Sequence, residues 1–140
     1  MREWVMPRSG APPGGAAAER GSAAVQSAIL FPIALLLVFG IIQGALWFHA
    51  RTIALGAAQE GARASSAEGG SGGELRAREF VSNLAGGTLI RDLDVNETAT
   101  GETVTITVAG KAPSLVPGVS GLTVRQSATA PIERFTEVGS

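Results

Sequence analysis

The sequence predicts a membrane-anchored α+β protein, in which a long N-terminal transmembrane helix extends into a small C-terminal unit of one helix and a three-stranded antiparallel sheet. Three observations predict it. Between Arg20 and Arg51 no residue carries a fixed charge, and His49 is the only ionisable one. After Arg51 the text stays helical but turns to alanine and glycine. Beyond a Gly/Ser joint come one amphipathic stretch and three strand-like stretches. The domains that follow are a disordered basic leader over 1–21, the helix with its extension over 22–67, the joint over 68–73 and an outer α+β domain over 74–140.

Each element has its own justification. The leader is rich in Pro, Gly and Ala and lacks hydrophobic periodicity, so it cannot bury enough apolar surface to offset chain entropy. Its arginines, Arg2 and Arg8 with Arg20 just after, favour a cytoplasmic N-terminus, although Arg51 and Arg63 stand close beyond the span. The densest apolar run, Ala28 to Phe48, meets the need for ~20 apolar residues to cross ~30 Å of hydrocarbon at ~1.5 Å per residue. Pro32 lacks an N–H and should kink this helix or mark where its regular hydrogen bonding starts.

Gly40 and Gly44 form a GxxxG pair. It is either a face for close helix packing or the small-residue content common in membrane helices. Gln43 beside it favours the packed face, because an amide in lipid seeks a partner. Trp47, Phe48 and His49 sit where an interfacial aromatic belt belongs, and His49 reads as a headgroup-level polar tip.

From Thr52 the helix should continue into water to about Ser65, with Glu60 and Arg63 paired at i,i+3. Its small side chains would let it lie close against other helices or a sheet. Gly69 to Gly73 breaks it. Glu74 to Ala85 is amphipathic, with Ala77, Phe80, Val81 and Leu84 on one face and Gly86-Gly87 to close it. A weak strand is expected over Leu89 to Val95, then a turn over Asn96 to Gly101. The clearest strand is Thr103 to Ala109, where Val104, Ile106 and Val108 alternate with threonines. The loop Lys111 to Gly121 leads to a last strand at about Leu122 to Ala130.

Composition narrows the function. A net charge of −1 offers no basic field for nucleic acid. The absence of cysteine and the single histidine exclude a disulfide framework, a cysteine-based zinc site and a cysteine nucleophile. No Ser/His/Asp set exists except through His49, and no carboxylates cluster at metal-ligand spacing, so no enzyme, cofactor or small-molecule substrate is expected. Asp92 and Asp94 read as a solvated strand edge. Asn96-Glu97-Thr98 fits the glycosylation sequon, a triplet that often arises by chance.

The start of the helix is more specific. Arg20-Gly21-Ser22-Ala23-Ala24-Val25-Gln26, running into Ile29-Leu30-Phe31-Pro32, resembles the start of TadE-family proteins, pseudopilins of the tight-adherence (Flp-type) pilus machinery related to type IV pilins. The likeness extends through Gln59-Glu60-Gly61-Ala62-Arg63-Ala64. It is weaker in Ser127-Ala128-Thr129-Ala130 with Glu133.

The resemblance implies a pilin-like structural or assembly protein, held in the cytoplasmic membrane with its C-terminal domain outside and able to reach a surface pilus. It implies a prepilin peptidase cutting between Gly21 and Ser22 in an extended, flexible segment, and pilin-like or pilus-assembly subunits as partners through the helix. At the assembly position, where the family usually has a glutamate that pairs with the new N-terminal amine, this chain has Gln26. An amide still accepts a hydrogen bond but brings no charge. The alternative is an unprocessed single-pass protein whose outer domain binds a partner.

Overall fold

The computed structural model describes Met1, Gly10 and residues 15–133. The leader expectation for 2–9 and 11–14 lies outside the described residues. Two compact units divide the chain, Met1–Val38 and Phe39–Ser140.

A single helix, α1 (Gly15–Ala67), enters both units. It starts seven residues ahead of Ser22, so the part of the leader from Gly15 to Gly21 is helical. Ala16, Ala17 and Ala18 carry the highest helix propensity of any residue, which outweighs the local glycines. The helical assignment runs through Pro32 unbroken. Proline there removes one i→i−4 bond, from residue 32 to the carbonyl of residue 28, and the turns on either side hold.

In the first unit, every described side chain from Gly21 to Val38 is exposed, including Ile29, Leu30, Phe31, Leu36 and Leu37. The most apolar window of α1 has a mean hydropathy of 2.5, and none of it is buried. A core helix of a water-soluble protein would be covered; a bare apolar surface of this extent fits lipid.

The second unit is where α1 acquires a buried face. Ala50, Ile53, Ala54, Ala57, Ala58 and Ala62 are all buried, a helical 3–4 spacing that lays one stripe against the sheet. Five of these six are alanine, so the backbone approaches closely and the larger side chains come from the other side: Val81, Val95, Val104, Ile106, Val108 and Val124.

The other helix, α2 (Gly73–Ala85), buries Ala77 and Val81 and half-buries Phe80. Leu84, expected on the same face, is exposed. It sits one residue before the helix ends, where Gly86 takes a left-handed conformation and donates its N–H to the Ser82 carbonyl. Glu60 pairs with Arg76 of α2 (3.3 Å), not with Arg63 as its spacing suggested.

The sheet is an antiparallel meander, β1 (Arg91–Thr100), β2 (Thr103–Lys111) and β3 (Thr123–Pro131), in the order β1-β2-β3. Val104, Ile106 and Val108 are buried and the threonines between them are half-buried, as alternation requires. One expectation fails here. Asn96 to Thr100 is strand, paired with Thr107 through Thr103, and the turn is only Gly101-Glu102. Pairing against the strongest strand of the chain outweighs the turn-like composition of that run. At the other end of β1 a bulge between Arg91 and Asp94 places Asp92 at φ 52, where its carboxylate pairs with Lys111 (3.3 Å).

Candidate functional site

The candidate cleavage, assembly and packing residues read from sequence all lie on α1. Gly21, Ser22 and Gln26 are exposed in the first unit, in helical backbone. The expected cleavage point is therefore a turn of helix and not extended chain. Gly21 weakens that turn, since glycine inside a helix costs about 1 kcal/mol relative to alanine.

Gly40, Gln43 and Gly44 belong to the second unit. A Cβ built on Gly40 or on Gly44 would meet nothing within 4 Å. The GxxxG edge is bare. Gln43 has its partners inside the chain: its Nε2 donates to the Pro113 carbonyl (2.9 Å), and its Oε1 accepts from the Leu115 N–H (3.1 Å). The amide that seemed to seek a neighbouring helix holds the β2–β3 loop instead. One turn further on, the Trp47 indole N–H donates to the Thr123 carbonyl (3.3 Å), and the Arg51 guanidinium lies 5.7 Å from the indole centroid. His49 is exposed.

The end of α1 is joined to the domain by two features that sequence reasoning missed. At the first, α1 crosses α2 through Gly61 and Gly73. A Cβ on Gly61 would stand 2.6 Å from the Gly73 carbonyl oxygen, 3.1 Å from the Ala77 Cβ and 3.3 Å from Ile106 Cγ2. A Cβ on Gly73 would stand 2.5 Å from the Gly61 oxygen. The glycines let two backbones touch, and the signal was present as Gly61 within Glu60-Gly61-Ala62-Arg63.

The second feature is the Glu97 carboxylate of β1. It accepts from the Ser65 hydroxyl at the end of α1, from the Gly73 N–H (3.4 Å) and from the Glu74 N–H (3.2 Å) at the start of α2. The α2 N-cap residue, Gly72, supplies no side-chain cap, so Glu97 takes that role from another element. Beside it, Arg78 bonds Glu74 twice (3.0 and 3.1 Å) and reaches the Leu93 carbonyl (3.4 Å).

Asp92 and Asp94 are exposed at the sheet edge, and Asn96 is exposed on a strand where a turn was expected. Among the described residues no group of three or more His, Asp or Glu side chains could hold a metal ion.

A bare apolar helix whose last third packs on a small helix-and-sheet domain defines the class, an α+β protein with, among the described residues, one helix long and apolar enough to span a membrane. Residues 21–63 match the family model described as TadE-like protein, so the chain carries a TadE-like segment, within a residue at each end of the Arg20-to-Ala64 resemblance. That family is associated with tight-adherence pili. No curated protein and no solved structure matches the chain. The matched segment begins at Gly21 and includes Gln43, Trp47 and Gly61, so it covers both the exposed span and the face that holds the domain.

Proposed function

We propose that this chain is a pilin-like structural or assembly protein of a tight-adherence (Flp-type) pilus system. It is anchored by α1 with its N-terminus in the cytoplasm and its α+β domain outside, and it is structural and not catalytic. A prepilin peptidase removes the leader between Gly21 and Ser22. The observation that carries this reading is the TadE-like match, which starts at Gly21 on a helix whose apolar side chains are uncovered.

The N-terminus of the protein recovered from membranes and from sheared filaments tests it by mass spectrometry. Ser22 is the expected first residue; an intact Met1 in both fractions would replace this reading with that of an unprocessed anchor. Gln26→Glu sharpens the result. A carboxylate facing a neighbour's amine in a dry helix bundle gains far more than the same pair in water. Filament recovery should therefore rise with Gln26→Glu in the cleavable form and stay flat when Gly21→Leu blocks cleavage. An equal rise in both forms would rule out amine pairing.

Other pilus subunits have the Gly40–Gly44 edge available. Because a Cβ at either glycine meets nothing, Gly40→Ile with Gly44→Ile should leave the outer domain folded. The same pair should abolish association with other helices in a membrane two-hybrid assay. Unchanged association would mean that these glycines pack against nothing.

A further inference from the structure

The loop between β2 and β3, residues 112–122, is fastened to α1 at a level where a water-exposed loop does not belong. Pro113 and Leu115 are bonded to Gln43, and Thr123, just past the loop, is bonded to Trp47. Gln43 precedes Arg51 by eight residues and Trp47 by four, which along a helix is about 12 Å and about 6 Å towards the span. With Arg51 at the headgroups and Trp47 in the interfacial belt, Gln43 lies near the edge of the hydrocarbon, and the loop is held beside it.

The loop's composition suits that depth. From Ala112 to Leu122 there is no charged residue. Leu115, Val116, Val119 and Leu122 are nonetheless 40, 56, 57 and 56% exposed. Part of its backbone is satisfied within the chain: the N–H groups of Ala112, Leu115, Val116 and Val119 donate to Leu122, Gln43, Ser114 and Val116, and Pro113 and Pro117 have none to place. The N–H groups of Ser114, Gly118, Ser120, Gly121 and Leu122 are left to water and headgroups, which the interfacial layer supplies and the hydrocarbon does not. Irregular backbone does not enter the hydrocarbon itself, so the interfacial layer is the seat available to it.

We propose that this loop is a second membrane contact, with Leu115, Val116, Val119 and Leu122 seated in the interfacial layer of the leaflet that α1 crosses at Gln43 to Trp47. It rests on the reading of α1 as a membrane span. The two contacts together fix the rotation of the domain about the helix axis, since Gln43 and Trp47 grip the loop from one face of α1. The occupant is lipid: the side chains are apolar and uncharged, and the α1 residues beside them, Gln43 and Trp47, lie on the span side of Arg51.

The chain has no cysteine, so one introduced cysteine carries one environment-sensitive fluorophore. Labels at Val116→Cys and Val119→Cys are compared with Phe39→Cys in the span and Glu102→Cys at the β1–β2 turn. That turn lies at the opposite end of β2, roughly 30 Å from the loop for a nine-residue strand. The full chain is reconstituted in phosphatidylcholine vesicles containing lipids spin-labelled near the headgroup or deep in the acyl chain.

The expected result is a blue-shifted emission at 116 and 119, quenched several-fold more by the shallow spin label than by the deep one. Phe39 should be quenched by the deep label and Glu102 by neither. A quenched Phe39 with positions 116 and 119 behaving like Glu102 would overturn the loop contact and keep the span. An unquenched Phe39 would remove the span itself. Blue-shifted but unquenched labels at 116 and 119, with cross-linking to a second copy, would give the loop a protein partner and also overturn the lipid contact.

Discussion

Replacing Gly61 by leucine is expected to unfold the helix-and-sheet domain while leaving α1 in the membrane. The reason is steric and local. Even a single Cβ there would stand 2.6 Å from the Gly73 carbonyl oxygen, a backbone atom that cannot swing aside. The Ala77 methyl and the Ile106 side chain close the other directions at 3.1 and 3.3 Å. Inserting carbon into such a site costs typically ~1–3 kcal/mol per modest overpacking, and leucine adds three carbons beyond the Cβ. A domain with so few large apolar side chains has little more than ~5 kcal/mol to lose.

Gly61→Ala decides between two effects of opposite sign. Alanine in a helix gains about 1 kcal/mol over glycine, whereas the close approach to Gly73 costs more. The net should be destabilising by about 1–2 kcal/mol, on the scale of overpacked cores. Thermal unfolding in detergent, followed by protease resistance of the domain, reads both variants. Gly44→Leu is the control, since nothing lies near its Cβ position and the melt should not move. A stabilised Gly61→Ala would show that the two helices do not meet through these glycines.

Much of the architecture is legible in the sequence because it depends on local pattern. The uncharged run from Arg20 to Arg51, the alternation at Val104, Ile106 and Val108, and Gly86 ending α2 each carry their signal within a few residues. What escapes depends on partners far along the chain. Gln43 reads as a helix-packing amide until its partners, 70 and 72 residues away, are seen. Asn96 to Thr100 has the composition of a turn, and only its pairing with β2 makes it a strand. Glu97 lies in that misread run, so its carboxylate reads as a solvated turn residue.

The Gly61–Gly73 crossing is a related case. Glycine in an Ala-rich helix extension announces close approach, but not to what. Position 21 illustrates a different limit: the alanines at 16 to 18 speak for a helix and the surrounding Gly and Pro for a coil. The backbone follows the alanines from Gly15 onward.

The second large effect is expected at Glu97. This carboxylate is half-buried and gathers three donors from two elements: the Ser65 hydroxyl, the Gly73 N–H and the Glu74 N–H. Glu97→Ala removes the side-chain acceptor that caps the Gly73 and Glu74 N–H groups at the start of α2, a loss of about 1 kcal/mol for a cap. It also strands the Ser65 hydroxyl, which is fully buried, at a further cost of about 1–3 kcal/mol. The total, about 2–4 kcal/mol, should lower the unfolding midpoint of the domain clearly while the neighbouring Thr98→Ala, on the exposed side of β1, leaves it in place. Glu97→Gln keeps an acceptor oxygen and loses the charge, so its cost should be less than that of alanine. The pair Ser65→Ala with Glu97→Ala then separates capping from simple crowding. If the hydroxyl and the carboxylate act on each other, the double variant should be more stable than the sum of the singles predicts, by about 0.5–3 kcal/mol. Strict additivity would mean that Glu97 does not hold the end of α1 to the start of α2.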